Sequence, residues 1–77
     1  MEKDLIEYIA KSLVDDPSAV EVNETESERS TVIELRVGPG DIGKVIGKHG
    51  RIAKALRTVL SASASKSGQH YTLEILD

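Results

Sequence analysis

Five glycines lie within residues 38–50, and this segment holds the residue types best suited to bind a ligand. The last two glycines enclose a lysine and a histidine in the sequence Gly47–Gly50, and Arg51 follows directly. Glycine has no Cβ, so the backbone there can come close to another group. Amides at the start of a helix lack partners within the helix and carry partial positive charge, which suits them to a phosphate. The chemistry indicated by this segment is anion binding.

Two other nucleotide-binding motifs match parts of the same segment. Residues 38–43 fit the pattern G-x-G-x-x-G, but no acidic residue follows about 20 positions later to bind a ribose. Residues 38–44 fit the start of a Walker A loop, but Val45 stands where a hydroxyl must hold magnesium. Both motifs are disfavoured. Gly47 and Gly50 could also serve only to end and begin helices, although the basic residues around them favour a binding role.

The elements around the glycines can be predicted from the spacing of apolar residues. Leu5, Ile6, Ile9 and Leu13 recur at helical spacing, which predicts an amphipathic helix that ends at the sequence Asp-Asp-Pro of residues 15–17. A first helix should therefore precede the strands.

Three strands are predicted from the alternation of apolar and polar residues. Val20 and Val22 alternate with polar neighbours, and the polar run of residues 24–30 is predicted to be a hairpin loop. Residues 31–37 show the clearest alternation, and residues 71–75 repeat it near the end of the chain.

Two helices are predicted between the second and third strands. Asp41 follows a Gly-Pro-Gly break and is a candidate N-cap for a short helix that ends at Gly47. A second helix is predicted from Gly50 to about Ser65, and Gly68 supplies its end signal. The residues expected to be buried are Ile42, Val45 and Ile46 in the first helix and Ile52, Ala53, Leu56, Val59 and Leu60 in the second.

The predicted order of elements is αββααβ. A crossover of two helices allows the second and third strands to lie parallel and adjacent, with the first strand paired antiparallel in a hairpin. We therefore expect an α+β fold with a three-stranded mixed sheet covered by helices on one face. A chain of 77 residues suffices for one domain. We assign residues 1–77 to it, with the first helix, first strand and hairpin loop in residues 1–30 and a βααβ unit in residues 31–77.

Charge is distributed unevenly along the chain. The net charge of −3 by itself disfavours a nucleic-acid partner. Residues 1–30 carry nine acidic and three basic residues, whereas residues 31–77 carry four acidic and seven basic residues. Between Gly43 and Leu60 every charged residue is basic, namely Lys44, Lys48, Arg51, Lys54 and Arg57. This basic segment overlaps the glycine segment and indicates a surface for a polyanion.

Composition disfavours several other classes of site. The absence of cysteine excludes disulfides and thiolate zinc sites, and His49 and His70 without a carboxylate cluster do not make a metal site. No nucleophile is paired with an activating base, so we expect no catalytic residues and no cofactor. Without an apolar run of about 18 residues or a basic signal segment, we expect a cytoplasmic protein with no membrane partner.

Residues 45–52, Val-Ile-Gly-Lys-His-Gly-Arg-Ile, resemble the GXXG motif of the KH domain family. The resemblance extends from Thr31 to Ile75, the preceding elements match the type II version, and the run 41–48 is most similar to stand-alone bacterial members. It implies a single type II KH domain that clamps the backbone of single-stranded RNA, over about four nucleotides in the family. The implied RNA-binding residues are Ile42, Lys44, Val45, Ile46, Gly47, Lys48, His49, Gly50, Arg51, Ile52 and Lys54.

In that interpretation Lys48 and Arg51 contact phosphates. The bases lie in a groove between the four Ile and Val side chains among these eleven residues and the edge of residues 32–37. Apolar contacts imply a modest sequence preference. We expect a small non-enzymatic RNA-binding protein that acts as an RNA chaperone or a post-transcriptional regulator.

Self-association is also expected, because one groove contacts few nucleotides and linked copies raise the affinity. Small residues in the later part of the second predicted helix offer a surface for a homodimer, namely Thr58, Val59, Ser61, Ala62 and Ser65. The resemblance further implies a heterodimer with a larger KH-containing partner. The alternative is a protein-interaction module that keeps the fold mainly for dimerisation and partner binding.

Overall fold

The computed structural model describes residues 2–76, and the side chains of Ser65 and Ser67 lie outside that description. The helices and strands are α1 Glu2–Leu13, β1 Glu21–Glu26, β2 Ser30–Arg36, α2 Ile42–Ile46, α3 Arg51–Ser67 and β3 His70–Leu76. Short 3-10 turns lie at Pro17–Ala19, Pro39–Asp41 and Lys48–Gly50. The predicted αββααβ order is confirmed.

The sheet has β2 at its centre, in the strand order β1-β2-β3. β1 pairs antiparallel with β2, so that Val22 lies opposite Leu35. β3 pairs parallel with β2, so that Leu73 lies opposite Ile33. This mixed topology is the one predicted, and it leaves β1 and β3 as the two edge strands.

The hairpin between β1 and β2 is tighter than expected. β1 continues to Glu26, which pairs with Thr31, and the Ser27 N–H donates to the Ser30 carbonyl at 2.8 Å. The prediction of a loop was therefore wrong for residues 24–26. Pairing with the strongly alternating β2 decides their conformation, and an edge strand tolerates charged side chains because they stay in solvent.

The hydrophobic core lies between one face of the sheet and the three helices. Its buried residues are Ile6, Ala10, Val14, Val20, Val22, Ile33, Leu35, Val37, Val45, Leu56, Leu60 and Leu73. Leu5, Leu13 and Val59 belong to the predicted apolar stripes but are 39%, 36% and 39% exposed. These three side chains are exposed because the inward face of each helix is centred on other residues, Ile6 and Ala10 in α1 and Leu56 and Leu60 in α3.

The opposite face of the sheet carries polar side chains. Asn23, Glu34 and Glu74 lie side by side across the three strands, and none of them is buried. The helices therefore cover one face only, as predicted. No helix within residues 2–76 is long and apolar enough to cross a membrane.

Candidate functional site

The glycine loop, Gly47–Gly50, joins α2 to α3 through a tight backbone turn. Gly47 ends α2, and its N–H donates to the Gly43 carbonyl at 2.9 Å. Gly47, His49 and Gly50 all have positive φ angles, of 79°, 59° and 74°. Glycine adopts such angles without steric cost, so the two glycines at the ends of the loop permit the chain to reverse within four residues.

The two glycines differ in what surrounds them. A Cβ on Gly47 would lie 2.6 Å from Ile52 Cγ1, so this glycine makes room for the protein's own side chain. A Cβ on Gly50 would meet nothing within 4 Å. The expected role of admitting a ligand is therefore compatible with Gly50, whereas the missing side chain of Gly47 already serves packing.

The amides of the loop are only partly available. The Gly50 N–H donates to the Gly47 carbonyl at 3.0 Å, and the Arg51 N–H donates to the Lys48 carbonyl. Neither the Lys48 nor the His49 N–H donates to another backbone group among residues 2–76. The amides without a backbone partner thus lie one to two residues before Gly50, at the tip of the loop, and not at Gly50 itself.

Exposed basic side chains lie in the loop itself and in the first turn of α3. Lys48, His49, Arg51 and Lys54 are exposed or nearly so. No ion pair within the described part of the chain involves Lys48, Arg51 or Lys54. The charge of these side chains therefore remains available to an anionic ligand.

Lys44 is also a predicted RNA-binding residue, but its surroundings differ from those of the other basic residues. Its Nζ lies 3.3 Å from Asp15 Oδ2 and 3.7 Å from Asp41 Oδ1. The hydrogen bond to Asp15, with the charges of Asp15 and Asp41, raises the pKa of Lys44. Two neighbouring carboxylates therefore partly offset its positive charge.

The structure agrees only in part with the apolar groove predicted beside the loop. Ile42 and Ile52 are half-buried and Ile46 is 37% exposed, so these three side chains reach the surface. Val45 is fully buried in the core, which corrects its place in the groove. β2 is paired on both sides, so residues 32–37 offer no free edge, and that part of the prediction was wrong.

The free edges of the sheet belong to β1 and β3, and a cleft lies between β3 and α3. This α3–β3 cleft has a volume of about 210 Å³ and is lined by Arg57, Leu60, Ser61, Tyr71, Thr72 and Leu73. Arg57 spans it, because its Nη2 donates to the Leu73 carbonyl at 3.4 Å. Sequence reasoning missed the cleft, although Arg57, Leu60 and Ser61, at spacings of three and four residues, lie on one side of a helix.

The residues predicted for a dimer interface lie on two flanks of α3. Thr58, Val59, Ser61 and Ala62 are exposed, while the Ser65 side chain lies outside the described residues. Ser61 lines the α3–β3 cleft. Val59 and Ala62 line a shallow depression of about 260 Å³ on the other flank, together with Ser63 and Lys66.

Two helices joined by a glycine loop, packed with an N-terminal helix on one face of a β1-β2-β3 mixed sheet, define a type II KH domain. The family profile described as "KhpA/KhpB, KH domain" matches residues 3–75. The chain therefore belongs to the KhpA/KhpB family of KH domains.

Similar proteins include three bacterial ones named RNA-binding protein KhpA. The one from Treponema pallidum is 57% identical over 100% of this chain and 96% of its own length. The one from Aquifex aeolicus is 56% identical over 97% of this chain and 95% of its own length. The one from Clostridium perfringens is 57% identical over 96% of this chain and 99% of its own length. No solved structure matches the chain.

Proposed function

We propose that this protein binds short single-stranded RNA and that the glycine loop clamps the RNA backbone. The observation that carries the proposal is the tip of the loop, where the amides of Lys48 and His49 lie beside unpaired basic side chains. The names of the three relatives support RNA as the ligand.

The geometry suggests how the two parts of a nucleotide are bound. Phosphates lie against the Lys48 and His49 amides, with Lys48 and Arg51 supplying charge-assisted contacts. The bases lie against Ile42, Ile46 and Ile52 and continue into the α3–β3 cleft. Most of these base contacts are apolar, so the sequence preference is modest.

The proposed role is non-enzymatic, as an RNA chaperone or a post-transcriptional regulator in the cytoplasm. The protein contributes a binding surface and no reacting group. A low affinity for one short segment suits a role in which several copies act on one RNA.

Replacement of Lys48 and His49 by Asp tests the proposal. We expect RNA affinity to fall about tenfold or more, with a weaker dependence on salt, because the new carboxylates repel phosphates. The control is Asn23→Asp with Arg29→Asp, which changes the net charge equally. Both residues are exposed, and both lie outside α2, the glycine loop, α3 and the residues that line the α3–β3 cleft. Equal loss in both double variants would show that net charge, and not the loop, governs binding.

Self-association is proposed through the flank of α3 that carries Val59. This side chain is 39% exposed beside an apolar depression, which favours contact with another molecule. The family profile covers KhpB as well as KhpA, so a heterodimer with a larger KH-containing partner of the KhpB type is the second proposed assembly. Sedimentation equilibrium of the wild type and Val59→Glu tests the homodimer, and a monomeric wild type at high concentration would exclude it.

The second candidate function is a protein-interaction module in which the KH fold serves mainly dimerisation and partner binding. Exposed Val59 is the observation that favours it. Wild-type protein that forms a dimer but has no measurable affinity for single-stranded RNA would favour this function over the first.

A further inference from the structure

Asp41 is a buried acidic residue that connects two distant parts of the chain. It is 5% exposed, and it is the one charged side chain among the buried residues of the described structure. Its Oδ1 accepts the Asp15 N–H at 3.2 Å, and its Oδ2 accepts the Asp16 N–H at 3.1 Å. The carboxylate thus holds the segment after α1.

The expected helix-capping role of Asp41 is not the one observed. Asp41 occupies the N-cap position of α2, but its side chain forms no capping hydrogen bond to that helix. A capping carboxylate would accept an amide two or three residues further along the same helix. Here both oxygens accept amides that lie 25 and 26 residues earlier in the chain.

Lys44 and Gly38 complete the attachment. Lys44 pairs with both Asp41 and Asp15, but the Asp15 side chain is 81% exposed, so that surface pair contributes little and the attachment depends mainly on the Asp41 carboxylate. The Asp41 N–H donates to the Gly38 carbonyl at 2.9 Å, which fixes its backbone in the turn before α2.

This anchor is close to the glycine loop along the chain. α2 has five residues, and Gly47 follows its last residue. α2 is too short to be stable alone, so its position depends on its tertiary contacts. A shift at the start of α2 is therefore transmitted to the loop over little more than one helical turn.

We infer that Asp41 is a positioning residue for the glycine loop: its carboxylate anchors the start of α2 to the segment after α1 and thereby sets the orientation in which the loop meets RNA. The inference rests on the proposed RNA-binding function. Asp41 itself does not line the loop.

The variants Asp41→Asn and Asp15→Asn distinguish a positioning role from a purely electrostatic one. The two roles predict changes in RNA affinity of opposite sign for Asp41→Asn. Each removes one negative charge from the same cluster, and charge alone would raise the affinity for RNA in both. Asn at position 41 loses one acceptor oxygen, whereas Asp15→Asn keeps the backbone N–H that Asp41 binds. We expect Asp41→Asn to lower RNA affinity about five- to tenfold, the scale of one lost hydrogen bond. Asp15→Asn should bind RNA as well as the wild type or better.

A second measurement uses the free protein, so it remains informative if RNA binding itself fails. In two-dimensional NMR spectra, Asp41→Asn should shift the amide signals of Asp15, Asp16 and residues 47–50, whereas Asp15→Asn should leave residues 47–50 nearly unchanged. Affinities are compared at a temperature at which circular dichroism shows every protein folded. If Asp41→Asn does not fold, Asp41→Glu replaces it. Its longer side chain keeps the carboxylate but displaces it, so we expect a smaller loss of RNA affinity than for Asp41→Asn.

Unchanged loop signals in Asp41→Asn, with an RNA affinity equal to that of Asp15→Asn, would overturn the positioning role. A wild type that does not bind RNA would instead refute the proposed function, while shifted loop signals would still support the anchor.

Discussion

Gly47 and Ile52 are in such close contact that a Cβ on residue 47 would lie 2.6 Å from Ile52 Cγ1 and 2.9 Å from the Ile52 backbone nitrogen. The first residue of the loop is thus packed against the second residue of α3. The contact packs the end of α2 against the start of α3, while the Lys48 and His49 side chains at the tip of the loop are exposed.

Gly47→Ala is expected to destabilise the protein more than Gly50→Ala. The φ and ψ angles of Gly47, 79° and 170°, lie in a region nearly exclusive to glycine, and the new methyl group would collide with Ile52. We expect a loss of about 2–4 kcal/mol for Gly47→Ala and about 1–2 kcal/mol for Gly50→Ala, which has positive φ but open space. Urea unfolding of both variants measures the difference, and equal losses would contradict the packing argument.

His49→Asn is expected to stabilise the free protein slightly. His49 is the non-glycine residue with positive φ, at 59°, among residues 2–76. Asparagine tolerates this conformation well, so we expect a gain of about 0.5 kcal/mol and a melting temperature higher by about 2–4 °C. Lys48→Asn is the control, because Lys48 has no positive φ to relieve. The same gain in both variants would argue against strain at His49.

Lys48 and Lys44 are expected to contribute differently to the salt dependence of RNA binding. Lys48→Ala should reduce the slope of log affinity against log salt by about 0.7, the value for one phosphate contact on a single strand. Lys44→Ala should leave the slope nearly unchanged, because Lys44 already pairs with Asp15 and Asp41. Fluorescence anisotropy across a salt series measures both slopes. A reduced slope for Lys44→Ala would mean that Lys44 leaves its ion pairs to contact RNA.

The stability contributed by Asp41 is expected to depend on pH. The hydrogen bond from the Asp15 N–H, supported by that from Asp16 and by the charge of Lys44, lowers the pKa of Asp41 in the folded protein. The carboxylate therefore stabilises the fold fully above its unfolded pKa of about 3.9, and this stabilisation is lost as the pH falls through the lower folded value.

Urea unfolding of the wild type and Asp41→Asn from pH 7 to pH 3 tests this dependence. The difference in free energy of unfolding should be constant between pH 7 and about pH 5 and should shrink below about pH 4. The other carboxyl groups titrate in both proteins, so their contributions to the free energy of unfolding cancel in the difference. A difference that persists at the lowest pH would show that Asn disturbs the site for a reason unrelated to charge.

Hydrophobic spacing predicted most elements because burial on one face imposes the period of the element. Ile33 and Leu35 of β2 are fully buried, and Leu56 and Leu60 of α3 are nearly so, at the expected two- and four-residue spacings. The same reasoning failed for residues 24–26, where pairing with a neighbouring strand, and not burial, decides the conformation.

Composition and order along the chain determined the αββααβ sequence of elements, the glycine loop and the basic residues around it. These are local properties, since a residue's backbone preference, charge and spacing do not depend on the rest of the fold. Only the tertiary structure decided that Asp41 binds the amides after α1, that Ile52 packs against Gly47, and that β3 forms a cleft with α3. Each of these depends on how helices and strands pack, and packing brings together atoms whose proximity no local pattern encodes.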